Sequence, residues 1–124
     1  MAIELAFQAK VQEIKSPIIK TDHIFIKEGH SFQKIKIVEI LYLKSEGVYI
    51  EIYTNDKRYI TRDSFKNILH KLGDSFIQTH KSYFINTEHI SSVNSMSVVI
   101  GKEEIPLGRT YKDQVQKILG IGND

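Results

Sequence analysis

The chain has 124 residues, a hydrophobic fraction of 41% and no cysteine, which allows one modest core and removes disulfides, thiolate metal sites and cysteine nucleophiles. Its formal net charge of +2 is weak support for a nucleic-acid partner and requires any anion-binding face to be local, with carboxylates kept to other surfaces. No run of about 18 apolar residues exists, and Met1-Ala2-Ile3-Glu4 lacks the basic start of a signal peptide, so a soluble, cytoplasmic single domain with no membrane partner is expected.

From the N-terminus, Ile3, Phe7, Val11 and Ile14 recur at helical spacing until Ser16-Pro17 ends the run. Two readings stand side by side: the last helix of an upstream domain running into a linker, or an N-terminal helix lying against a sheet. The period then changes to two. Ile24 and Ile26 predict one strand, Ile35 and Ile37 between lysines a second, and Ile40 to Leu43 the start of a third. In the next, Val48, Ile50 and Ile52 share one face and Tyr49, Glu51 and Tyr53 the other. Asn55-Asp56-Lys57 turns the chain, and Tyr59-Ile60 open the return strand.

Asp63 is the expected cap of a short helix carrying Phe65, Ile68, Leu69 and Leu72 on one stripe, stopped by Gly73. Three further strands are expected over Ile90–Val93, Ser97–Ile100 and Glu103–Leu107, the last two joined near Gly101-Lys102. A C-terminal helix follows, with Tyr111, Val115, Ile118 and Leu119 on one face and Gly120 at its end.

Two stretches carry the chemistry. Gln78-Thr79-His80-Lys81-Ser82 is a polar run between Phe76-Ile77 and Tyr83-Phe84-Ile85. It reads as a turn outside the core, clamped at both ends, that holds a cation at a fixed place. Further on, Ile105-Pro106-Leu107 leads into Gly108-Arg109-Thr110-Tyr111, where Thr110 is the expected cap and Asp113 completes a capping box. Two rooted cations with neighbouring hydroxyls and an imidazole suit phosphate oxygens and guanine edges.

Together with Ile40 to Ile50, these stretches resemble the LytTR-type DNA-binding domain of bacterial transcription regulators, in one register from about His23 to Leu119. The resemblance implies a mostly β, antiparallel fold with a short central helix, a C-terminal helix and an N-terminal linker helix. It divides the chain into a helix and linker at 1–19, a DNA-binding domain at 20–120 and a tail at 121–124. It further implies sequence-specific binding of double-stranded DNA for transcription regulation, as the output domain of a two-component response regulator that reads DNA with loops. Such domains act in pairs on direct or inverted repeats. An upstream receiver domain or a sensor kinase is the implied partner if the chain belongs to a longer regulator.

In that family three loops approach DNA. The first falls on Ser45 to Tyr49, with Tyr49 reaching out; the alternative for Tyr49 is a cross-strand aromatic pair with Tyr53 or a neighbour. The second is His80-Lys81-Ser82, where the family commonly has arginine at the position of Lys81. An ammonium grips guanine less directionally than a guanidinium fork, so base and phosphate contacts both stay open for Lys81. His80 and Asn86 are expected to orient the loop through backbone hydrogen bonds. The third is Gly108-Arg109-Thr110, where the family often has serine before the arginine. Arg109 is the expected base reader, its alternative being a surface ion pair with Asp113, and Lys112 adds a phosphate contact.

Other functions find less in the residues. The histidines show no His-x-His or His-Glu-x-x-His spacing, Glu103 and Glu104 should point to opposite faces of a strand, and no nucleophile elbow or phosphate-cradling glycine loop occurs. No catalysis, metal or cofactor is therefore expected. The competing reading is a β-rich protein-interaction or ligand-sensing module without DNA binding, its groove lined by Tyr49, Tyr53, Tyr59 and Lys81. Single-stranded RNA is a further candidate partner. A helix-turn-helix would need Phe76 to Ile85 to be helical, against their β-type residues.

Overall fold

The computed structural model describes residues 22–122; the helix and linker expected at 1–19 and the end of the tail lie outside them. A hairpin of β1 (His23–Glu28) and β2 (Ser31–Lys36) is followed by β3 (Ile40–Glu46), β4 (Tyr49–Thr54) and β5 (Arg58–Arg62). Helix α1 (Phe65–Leu72) leads to β6 (Phe76–His80) and β7 (Tyr83–Asn86), then β8 (Ser92–Val93), β9 (Ser97–Ile100), β10 (Glu103–Pro106) and α2 (Arg109–Leu119). The strands form a five-stranded sheet in the order β5-β4-β3-β7-β6, a two-stranded sheet β1-β2 and a three-stranded sheet β10-β9-β8. Every pairing is antiparallel.

Alternation along the strands explains the layering. On one face of the large sheet Leu43, Ile50 and Ile52 pack with Ile24, Ile26 and Ile35 of the hairpin and Ile68 and Leu72 of α1. On the other, Tyr42, Ile77 and Ile85 pack with Val98, Ile100 and Ile105 of the small sheet and Val115 of α2. A register shift between Ile40 and Tyr42 inserts one extra residue into β3, so Ile40 and Leu43 reach the same core although three positions apart. The hairpin is fastened to β5 by Thr61 Oγ1 donating to the Lys27 carbonyl at 2.7 Å and the Ile60 amide donating to Glu28 Oε2 at 3.0 Å.

Several expectations are corrected. Ser64, not Asp63, caps α1: its hydroxyl accepts the Asn67 amide at 3.2 Å, while Asp63 binds the Asn67 side chain at 2.9 Å. Ile37 leaves β2 for a 3-10 turn over Ile37–Glu39, Val48 sits exposed in the β3–β4 turn, and Ile90 precedes a strand of only two residues. On α2, Val115 is fully buried but Ile118 is exposed, so the helix rests on a narrower stripe than its apolar residues suggested. Helix α2 starts at Arg109 with Gly108 as N-cap and no side-chain cap, so the Thr110–Asp113 capping box does not form. The polar run also differs: Gln78, Thr79 and His80 continue β6, Thr79 is fully buried, and only Lys81-Ser82 make the turn.

Antiparallel register sets the ends of the large sheet. Lys44 faces Tyr83 across β3 and β7, so the β3–β4 turn and the β6–β7 turn share one end, here called the rim. At the other end Asp22 lines one cavity with Ser75 and Asn86, and its carbonyl accepts the Ile37 amide at 2.9 Å.

Candidate nucleic-acid interface

The three loops expected to approach DNA are joined at the rim by backbone hydrogen bonds. The Ser45 amide, at the end of β3, donates to the Ser82 carbonyl at 2.9 Å, tying the first loop to the second. The Gly108 amide donates to the Thr79 carbonyl at 2.7 Å, tying the third loop to the strand that carries the second. Thr79 is the extra residue where the β6–β7 register shifts between Gln78 and His80. A bulge frees a strand carbonyl from the ladder and re-aims it, here toward the start of α2.

On this frame Lys81 is exposed at the tip of the two-residue turn, with Ser82 half-buried beside it. The Ser82 amide donates to His80 Nδ1 at 3.1 Å, and the imidazole stands edge-on to the Tyr83 ring at 5.8 Å. Arg109 and Thr110 are exposed in the first turn of α2 and Lys112 is half-buried. Arg109 and Asp113 form no ion pair; the pairs among the described residues are His23–Asp22 at 3.0 Å and Lys44–Glu46 at 3.6 Å. The roots of Lys81 and Arg109 thus lie within two residues of one hydrogen bond.

In the first loop Tyr49 is 45% exposed, opposite Glu46 on β3 and Arg62 on β5. It does not pair with Tyr53, which lies four residues along the same strand, about 13 Å away. Tyr53 instead stacks on Tyr42, centroids 4.4 Å apart at 12°, and donates to Glu51 Oε1 at 2.6 Å. Burial first, then the neighbouring Tyr53 and Glu103, push the Tyr42 phenol up to about 12. Burial and the hydrogen bond to Glu51 raise Tyr53 as well. The one carboxylate in the first loop is offset: Lys44 pairs with Glu46 at 3.6 Å and lies 5.9 Å from the centroid of the Tyr83 ring. The Tyr83 phenol, and after it Glu46, hold the Lys44 ammonium above its ordinary value.

Asn86 is not at the rim. It is buried at the far end of β7, where Nδ2 donates to the Ile40 carbonyl at 2.9 Å and Oδ1 accepts the Glu88 amide at 3.0 Å, holding the turn after β7 and not the Lys81 turn. Sequence reasoning missed Thr79 as the tether and Arg62 as the cation facing Tyr49. The latter is legible only once β4 and β5 are put in register. Among the described residues no cluster of three His, Cys, Asp or Glu could hold a metal, and no helix is long and apolar enough to cross a membrane.

Lys81 in the β6–β7 turn and Arg109 at the start of α2 are thus both exposed at the rim, and comparison with known proteins supplies the class. The family model of the LytTr DNA-binding domain matches residues 30–120, and the chain belongs to that family. It is 29% identical over 127 residues to the sensory transduction protein LytT of Bacillus subtilis, covering 90% of this chain and 53% of that protein. It is 27% identical over 124 residues to an uncharacterised response regulatory protein of Yersinia pestis, covering 95% and 50%. The chain thus spans about half the length of these curated relatives. The solved LytTr DNA-binding domain from Bacillus cereus superposes with a TM-score of 0.71 at 19% identity, over 82% of this chain and all of that one, which shows the shared fold. DNA binding for transcription regulation is the function of this class.

Proposed function

We propose that the chain binds double-stranded DNA sequence-specifically through the rim, with residues 20–120 as the DNA-binding unit of a cytoplasmic two-component response regulator. The observation that carries this reading is the pair of backbone hydrogen bonds, Ser45 to Ser82 and Gly108 to Thr79. They hold three loops with exposed Tyr49, Lys81 and Arg109 as one surface, so the cost of ordering separate loops on binding is already met. Arg109 reads a base edge with its guanidinium fork. Lys81 enters the same or the adjoining groove. Ser82, Thr110 and Lys112 contact phosphates, Tyr49 extends the contact from the first loop, and His80 sets the shape of the Lys81 turn. The domain acts as one of a pair on a repeated site. Its relatives are named for sensory transduction and response regulation and are about twice its length, which supports a receiver domain as the upstream partner.

The test is selection of bound duplexes from a random pool, followed by gel-shift titration of wild type and Arg109→Ala. A defined duplex should emerge, and the variant should lose about 1–3 kcal/mol on it with relaxed sequence preference. Unchanged specific binding would remove Arg109 from base readout. Failure to enrich any duplex would favour the protein-interaction reading.

A further inference from the structure

The β1–β2 hairpin carries a surface that the rim does not use. Ile24, Ile26 and Ile35 point into the core, so alternation leaves His23, Phe25 and Lys27 of β1 and Phe32, Lys34 and Lys36 of β2 on the outward face. The register makes three cross-strand pairs of them: His23 with Lys36, Phe25 with Lys34, and Lys27 with Phe32. Each pair is one ring and one ammonium. Phe25 is 51% exposed and Phe32 66%, a standing exposure of aromatic surface that small soluble domains keep down unless something covers it.

Neither strand of the hairpin places a carboxylate on this face. Glu28 has the inward parity, and its Oε2 accepts the Ile60 amide at 3.0 Å. Asp22 borders the face, bound to His23 Nδ1 at 3.0 Å; that hydrogen bond, and after it the charge of Lys34, hold its carboxyl below the ordinary value, so it offsets part of the positive charge. Three lysines on an overall charge of only +2 make this a local concentration of positive charge, and a second copy of the same face would be repelled by it.

We propose that this face binds single-stranded nucleic acid. Phe25 and Phe32 are diagonal neighbours across the hairpin, about 7–8 Å apart by strand geometry, a separation over which two successive bases of an extended strand can each lie on a ring. Lys27, Lys34 and Lys36 then stand where the phosphates run. A duplex hides its base faces in the stack and gains only the charge part of this arrangement. Two rings offer a lipid surface little apolar area, whereas flat rings alternating with cations match a base and phosphate repeat. The proposal does not depend on the roles given to the rim loops.

The chain contains no tryptophan, so Phe32→Trp gives a single fluorophore on the face. Titration with a twelve-residue oligothymidylate at low salt should quench that fluorescence. In anisotropy titrations with a labelled copy, the Phe25→Ser/Phe32→Ser double variant should bind at least tenfold more weakly, and Lys34→Gln/Lys36→Gln should flatten the salt dependence. The Phe25→Ser/Phe32→Ser variant should bind the selected duplex like wild type, which separates this site from the rim. Absence of quenching, or wild-type affinity in the serine variant with an unchanged circular dichroism spectrum, would overturn the proposal. So would sedimentation with phosphatidylglycerol vesicles in the absence of oligonucleotide binding.

Discussion

The Gly108 amide and the Thr79 carbonyl meet at 2.7 Å, and this contact joins the root of α2 to the strand that ends in the Lys81 turn. Gly108 has φ −69 and ψ 150, backbone that proline also adopts. Gly108→Pro therefore keeps the local conformation, deletes the donor and directs a ring carbon at Thr79. Its circular dichroism spectrum should match wild type while affinity for the selected duplex falls about tenfold or more. Gly108→Ala is the control: it retains the amide, and its Cβ would lie 3.2 Å from Tyr111 Cδ2, which a small shift of that ring relieves. Equal affinity of the two variants would show that the tether does not matter for binding.

Charge at the rim should be visible in salt dependence. With about four to six phosphates neutralised, log affinity should fall with log salt at a slope of roughly −4 to −5. Lys112→Ala should weaken all duplexes alike and reduce that slope by about 1. A slope independent of Lys112 would place this side chain off the backbone.

The Thr79 hydroxyl is fully buried and, among the described residues, has no hydrogen-bond partner. Valine has nearly the same shape, retains the β-branch that suits a strand and removes the unpaired oxygen. Thr79→Val should raise stability by about 1 kcal/mol, read as a higher urea midpoint at constant slope. Duplex affinity should not change, because the carbonyl that anchors Gly108 belongs to the backbone. Destabilisation would mean that the hydroxyl has a partner in solution.

Tyr42 couples stability to alkaline pH. Its phenol ordinarily ionises at 10.0 and is pushed up to about 12 in the fold, so folding favours the neutral form. That contribution is intact below pH 10 and disappears as pH rises through about 12. The urea midpoint should be level from pH 7 to 9 and decline between pH 10 and 12. Tyr42→Phe, which cannot ionise, should decline less over that interval. Identical profiles would assign the alkaline loss to other groups.

Much of the scaffold is legible in the sequence because its signals are local. Alternation finds β1, β2 and β4, the apolar run Ile40 to Leu43 finds the start of β3, the Asn55-Asp56-Lys57 turn finds β5, and Phe65, Ile68, Leu69 and Leu72 find α1. The rim is less legible because its geometry comes from an irregularity. Thr79, the extra residue in β6, is fully buried, so a run of five polar residues contains a buried position that no periodicity marks. The same bulge fixes the start of α2 at Arg109, whereas the Thr110 and Asp113 spacing suggested a later cap. Asn86 misled for a related reason: its partners include Ile40, 46 residues away, a relation that turn chemistry alone does not contain.

Asp22, the first of the described residues, lies at the end of the large sheet away from the loops, and β3 alone, at seven residues, separates the two ends by about 23 Å. The Asp22 end of the described residues therefore stands clear of the surface that would meet a ligand.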